Sequence, residues 1–99
     1  LSRRIIYERG VQSDLREILV WHAQHGEDLA KLFEKRFEDS VRAISDRPFS
    51  FGVMRDDIRR APIDRFPHGV FFRVLKQSIH IIGVIHGSRS PDVLKGRSE

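Results

Sequence analysis

Apolar residues recur along this chain with two different periods, and the change of period marks out the elements. Between residues 9 and 24, Val11, Leu15, Ile18, Leu19 and His22 fall three or four apart, which lines one face of an α-helix. Asp14, Arg16 and Glu17 occupy its other faces, while Val20 and Trp21 add apolar surface outside the stripe. Gly26 ends this helix, with His22 and His25 in the last turn, where the helix dipole tolerates imidazolium. A second helix is predicted over residues 27–46. Glu27 and Asp28 suit its first turn, and Ala30, Phe33, Phe37, Val41 and Ile44 form its buried stripe. Lys31, Glu34, Lys35, Glu38 and Asp39 face water. One short Gly-containing link joins the two helices, so they fold back as an antiparallel hairpin.

Outside the helices the period shortens. Residues 3–8 (RRIIYE) read as a first strand of β-forming residues flanked by charge. Arg47-Pro48 stops the second helix, because a residue before proline avoids the α region. Residues 49–53 read as a loop whose two Phe rings tuck against the core. Three strands follow, over residues 56–63, 70–75 and 78–86. Pro62 removes a ladder donor from the first of them, which points to an outer strand or a bulge. Phe66-Pro67-His68-Gly69 makes one turn, and Lys76-Gln77 has the length of a tight hairpin. In the second strand Val70, Phe72 and Val74 share one face; Phe71, Arg73 and Leu75 share the other. In the last strand Ile79, Ile81, Ile82, Val84 and Ile85 make both faces apolar, the mark of a central strand. Residues 88–99 are polar and read as a loose tail with at most one helical turn. The predicted class is α+β, a two-layer β-α-α-β-β-β arrangement with the helical hairpin packed on a small antiparallel sheet.

Composition narrows the function classes. Ninety-nine residues, 39% hydrophobic and 32% charged, make one globular domain over residues 1–99. With no cysteine, disulfides and thiolate metal sites are excluded, and a reducing cytoplasm is compatible. No apolar run reaches the ~20 residues of a membrane span, and the start of the chain is charged too soon for a signal peptide. The net charge of +4 either favours an anionic partner or merely keeps the domain in solution.

Few residues carry candidate chemistry. Arg73, within a strand, is either paired with a carboxylate or held in a cleft for phosphate or carboxylate. His86, at the exit of the last strand and three residues before Arg89, is either bonded to backbone or a general acid or base in phosphodiester cleavage. Arg59 and Arg60 alternate sides of their strand, so at most one joins Arg73 on a shared face. His22 and His80 read as half-buried packing residues. No His/Asp/Glu spacing makes a metal site, no glycine-rich loop could cradle a phosphate, and no serine carries a nucleophile signature, so no cofactor is implied.

The order of these features resembles the RelE/ParE superfamily of toxins from bacterial type II toxin–antitoxin modules. The resemblance rests on the strand that leads to Phe66-Pro67 and a Gly turn, on Phe72-Arg73-Val74, and on the apolar strand closing on His86 with Arg89 and Pro91 beyond. Val11, Asp14-Leu15 and Ile18 upstream, and Pro48 after the second helix, are similar to the same family. The resemblance implies a cytoplasmic, growth-inhibiting toxin that stabilises plasmids and forms a hetero-oligomer with a cognate antitoxin. Two activities divide the superfamily. RelE-type toxins cut mRNA in the ribosome with basic side chains and often a C-terminal Tyr or His; ParE-type toxins poison DNA gyrase. The one tyrosine here, Tyr7, lies far from the tail. A RelE-like site would be built from His86, Arg73 and Arg89, thinned by Ser88 where the pattern often carries an arginine. A ribosome-bound nuclease ordinarily carries more charge than +4. The expectation is therefore a ParE-like gyrase inhibitor, with Arg59, Arg60, Arg73 and Arg89 facing the target or its nucleic acid. Val20, Trp21 and Leu32 are expected to meet the antitoxin. An inactive family member that keeps only antitoxin binding is the third reading.

Overall fold

The computed structural model describes residues 3–97. Strand β1 (Arg4–Tyr7) leads into helices α1 (Arg9–Gln24) and α2 (Glu27–Asp46). A 3₁₀ turn, Pro48–Ser50, follows, then strands β2 (Val53–Arg55), β3 (Ile58–Pro62), β4 (His68–Val74) and β5 (Ser78–His86), and a last 3₁₀ turn, Pro91–Leu94. Both helices and the last strand fall where the hydrophobic pattern predicts them. The sheet order is β1-β5-β4-β3-β2, so β5 is central, as its two apolar faces require.

The sheet differs from the expected one in two respects. It has five strands, and β1 pairs with β5 in parallel, Ile5 opposite Ile79, so the sheet is mixed. The two-helix connection delivers the chain into β2 antiparallel to β1, and three successive antiparallel turns then leave β5 parallel to it; no local sequence signal carries that pairing. Strand β2 was hidden because it is three residues long and exposed at Val53 and Met54. Asp56 and Asp57, expected within a strand, form the β2–β3 turn, with Asp56 at φ 51°. Pro62 lies past the end of β2, where β3 has an open edge; its carbonyl accepts from Ser40 Oγ at 2.8 Å.

The helices cover one face of the sheet. Phe33, Phe37, Val41 and Ile44 of α2 and Val11 of α1 join Val70, Phe72, Ile79, Ile81 and Val84 in the main core, with Leu15, Ile18 and Leu19 half-buried beside them. Phe51 packs on Phe72, ring centres 5.9 Å apart, but Phe49 stays exposed. The other face carries a smaller cluster: Ile58, Phe71, Ile82, Ile85 and Leu94.

Leu94 belongs to the segment expected to be a loose tail. Through residue 97 that segment is docked; Ser98 and Glu99 lie outside the described residues. Leu94 is 2% exposed, and Arg97 forms a two-pronged ion pair with Asp14, 2.7 and 3.1 Å. Asp14 also accepts the Val84 N–H at 2.9 Å, and Arg97 reaches the Ile82 carbonyl at 3.4 Å. These are backbone groups of β5 beyond the last β1–β5 partner, Ile81, so the clasp satisfies an edge that β1 is too short to pair. Gly83 makes room for it: a Cβ there would stand 2.6 Å from Leu94 Cδ2 and 3.0 Å from Arg97 Nη1. Gly83 also sits at a bulge, where the β4–β5 register slips by one residue between Phe71 and Phe72.

Candidate functional site

The bulge sets the geometry at the exit of β5. Beyond it the register places His68, the first residue of β4, opposite His86, the last of β5. Helix α1 crosses β5 beside this pair and adds Glu17, Ile18, Trp21 and His22. Together with Pro67 these residues line a cavity of about 520 Å³. A smaller recess of about 160 Å³ shares Glu17, Ile18, His68 and His86 and adds Asp14, Val84 and Arg89.

Three imidazoles step across this cleft. The His22 and His68 ring centres are 6.2 Å apart, and those of His68 and His86 5.2 Å apart. His22 is buried, not half-buried as expected, with its ring against Phe33 at 5.4 Å, Phe66 at 5.2 Å and Trp21 at 5.0 Å. Neither of its nitrogens, nor Nδ1 of His68, has a hydrogen-bond partner. Burial therefore holds both rings neutral. It pushes His68 down to about 4, helped by His86 and His22, and lowers His22, helped by His25.

His86 stands at the exposed rim. Its Nδ1 accepts the Ser88 backbone N–H at 3.0 Å. A backbone N–H can only donate, so neutral His86 carries its proton on Nε2. Held this way, His86 offers the cleft a hydrogen-bond donor rather than a basic lone pair. Trp21, 54% exposed, is stacked on His25 at 4.1 Å, and His25 Nδ1 donates to the Trp21 carbonyl at 2.9 Å. Trp21 thus forms a stiff, open apolar wall.

The other residues expected to act at the target are dispersed. Arg73 pairs with His80, and six residues of β5 separate His80 from His86, about 20 Å of strand. Arg73 Nε donates to Asp57 Oδ1 at 2.8 Å. His80 itself is tied to Glu8 on one side and to Ser78 Oγ at 3.2 Å on the other. Arg60 lies along Gly69 on the face away from the helices, which it shares with Arg73. Arg59 points the other way and donates to the Phe51 carbonyl at 2.6 Å. Arg89 lines the small recess with His86. Of the three residues proposed for a nuclease, His86 and Arg89 are brought together and Arg73 stands at the far end of the sheet.

The three residues expected at the antitoxin interface are also divided. Trp21 lines the histidine cleft. Val20, equally exposed, lines a groove between the helices with Leu15, Leu19, Ala30 and Lys31. Leu32 is half-buried on α2. Sequence reasoning missed His68, Glu17 and Pro67. The available signal was Gly83, since an isolated glycine inside a strand pattern marks a bulge and so shifts the register.

Among the described residues no three His, Asp or Glu side chains are grouped to hold a metal ion. None of the described helices is long and apolar enough to cross a membrane.

A family model described as the ParE toxin of the type II toxin–antitoxin system, parDE, matches residues 5–91. The chain belongs to the ParE toxin family. Toxin ParE2 of Mycobacterium tuberculosis, in strains CDC 1551 and H37Rv, is 26% identical over 96 residues, 96% of this chain and 91% of that protein. A solved chain of the chromosomal ParDE TA system from P. aeruginosa shares the fold at a TM-score of 0.74, covering 85% of this chain and 95% of that one at 17% identity. The histidine cleft and the clasped C-terminal segment are thus features carried on a ParE-family fold, and the match extends through β5 to the start of the last 3₁₀ turn.

Proposed function

We propose that this ParE-family chain is a toxin that acts by binding, that its target is DNA gyrase, and that a cognate antitoxin neutralises it in the cytoplasm. The observation that carries the reading is the separation of Arg73 from His86. A nuclease site needs cations and an acid–base pair around one phosphodiester, within hydrogen-bond reach. Here Arg73 is engaged with Asp57 about 20 Å along the sheet from His86, and His86 Nδ1 is occupied by the Ser88 N–H. The antitoxin would lay an amphipathic segment along α1, with one apolar side chain against Trp21 in the histidine cleft and others over Val20 and toward Leu32.

One preparation of the full chain, assayed for gyrase supercoiling and for translation-coupled mRNA cleavage, tests the proposal. Inhibition of supercoiling that survives His86→Ala is expected, with no cleavage. Ribosome-dependent cleavage abolished by His86→Ala would overturn it and assign His86 and Arg89 to a RelE-like nuclease. Normal growth of cells expressing the chain without antitoxin would instead identify an inactive member.

A further inference from the structure

Phe49 is the most exposed of the large apolar side chains, 60% open to solvent, yet it is not loose. Two guanidiniums lie over its ring, Arg3 at 5.2 Å and Arg59 at 5.1 Å from the centre. Each is anchored again by a backbone carbonyl: Arg3 Nε donates to Leu75 at 2.8 Å and Arg59 Nη1 to Phe51 at 2.6 Å. A third guanidinium, Arg47, lies 5.9 Å from the Phe51 ring. The cluster occupies the end of the sheet opposite the histidine cleft, beside the β4–β5 turn that carries Lys76.

What sets this cluster apart is unneutralised charge held on aromatic rings: other arginines, Arg60 and Arg89 among them, also make no ion pair among the described residues, but they lie over no ring there. Arg36, Arg42, Arg55, Arg73 and Arg97 each pair with an aspartate. Among the described residues Arg3, Arg47 and Arg59 form no ion pair with any carboxylate. Asp57, the acid nearest Arg59 in sequence, is engaged by Arg73 on the opposite face. Three guanidiniums are therefore placed against aromatic rings, two of them, Arg3 and Arg59, fixed also by carbonyls, with their remaining N–H groups unneutralised. Planar, fixed forks of this kind match phosphate oxygens two at a time. With two guanidiniums already over the Phe49 ring, the cluster offers contacts to phosphate oxygens ahead of base stacking.

We propose that this patch binds the phosphate backbone of duplex DNA, without reading its sequence. The proposal goes beyond the gyrase reading and does not depend on it, because it concerns a direct contact measured without the enzyme. Three phosphate contacts predict affinity that falls roughly 40-fold between 50 and 200 mM salt. Fluorescence anisotropy of a labelled 20-base-pair duplex, titrated with the full chain over that range, reads this slope. Arg47→Gln and Arg3→Gln should each flatten it by about 0.9 in log–log terms, leaving a roughly 12-fold fall, equally for duplexes of different sequence. Arg47→Lys should keep the slope, and Arg42→Gln, which removes an aspartate-paired charge on α2, should leave it unchanged. Thermal melts confirm that each variant is folded. Slopes identical in Arg3→Gln, Arg47→Gln and the parent would overturn the proposal. So would a poly-glutamate peptide of equal charge that binds as tightly and loses affinity through the same two substitutions, which would assign the patch to an acidic protein.

Discussion

The two faces of the sheet are closed by different means. One is covered by the amphipathic stripes of α1 and α2, with Phe33, Ile44, Phe72, Ile79 and Ile81 fully buried between the layers. The other is closed by one leucine and one arginine from the end of the chain, Leu94 over Ile82 and Ile85 and Arg97 clasped to Asp14. The first face is stabilised by area, spread over many contacts of similar worth. The second depends on a few partners, so its loss should be abrupt, local and separable from global unfolding.

Substitutions can break that contrast, starting with the largest. Phe72→Ala, in the main core, should cost about 3–5 kcal/mol in urea unfolding, whereas Leu94→Ala should cost about 2–3 kcal/mol. Equal costs would mean that the tail is core like any other. Asp14→Ala strands the Val84 N–H and Arg97 together and should cost about 1–3 kcal/mol. Hydrogen exchange should then speed up at Val84 but not at Phe72. Gly83→Ala should displace the same tail, so its effect combined with Leu94→Ala should fall well short of the sum in a double-mutant cycle.

Acid sharpens the comparison from the histidine side. His68 takes up a proton at about pH 4 when folded and at about 6.5 when unfolded, so between these values the unfolded chain binds more protons. Its contribution to stability is complete above pH 6.5, declines as pH falls, and is gone below 4; His22 acts in the same direction. Urea midpoints measured across that window should fall with pH, and less steeply in His68→Asn. The smallest effect on stability is expected for Trp21→Ala, within about 0.5 kcal/mol, because its ring is half in solvent. The same substitution should weaken capture by the cognate antitoxin at least tenfold in a pull-down titration.

The helices and β5 were legible because each is a local pattern that repeats. Val11, Leu15 and Ile18, or Phe33, Phe37 and Val41, reveal a buried face whatever they pack against. The site was less legible. Counted back from the turn at Lys76-Gln77 on an unbroken ladder, His68 falls opposite Ile85, and His86 stands alone. One extra residue at the bulge brings the two imidazoles face to face. The same count shows why Arg73 could never have joined His86: antiparallel strands carry residues near a hairpin turn away from residues near its open end.

By itself the order of residues determined the helical hairpin, the apolar central strand, the two-layer class and the resemblance to a toxin family, because all of these rest on spacing between near neighbours. Only the tertiary structure decided that β1 runs parallel to β5, that Asp14 and Arg97 meet across 83 positions, and which arginines are left without an aspartate. Those outcomes depend on contacts between residues far apart in the chain. No period or composition records them, since the free energy that selects them exists only once the layers have packed.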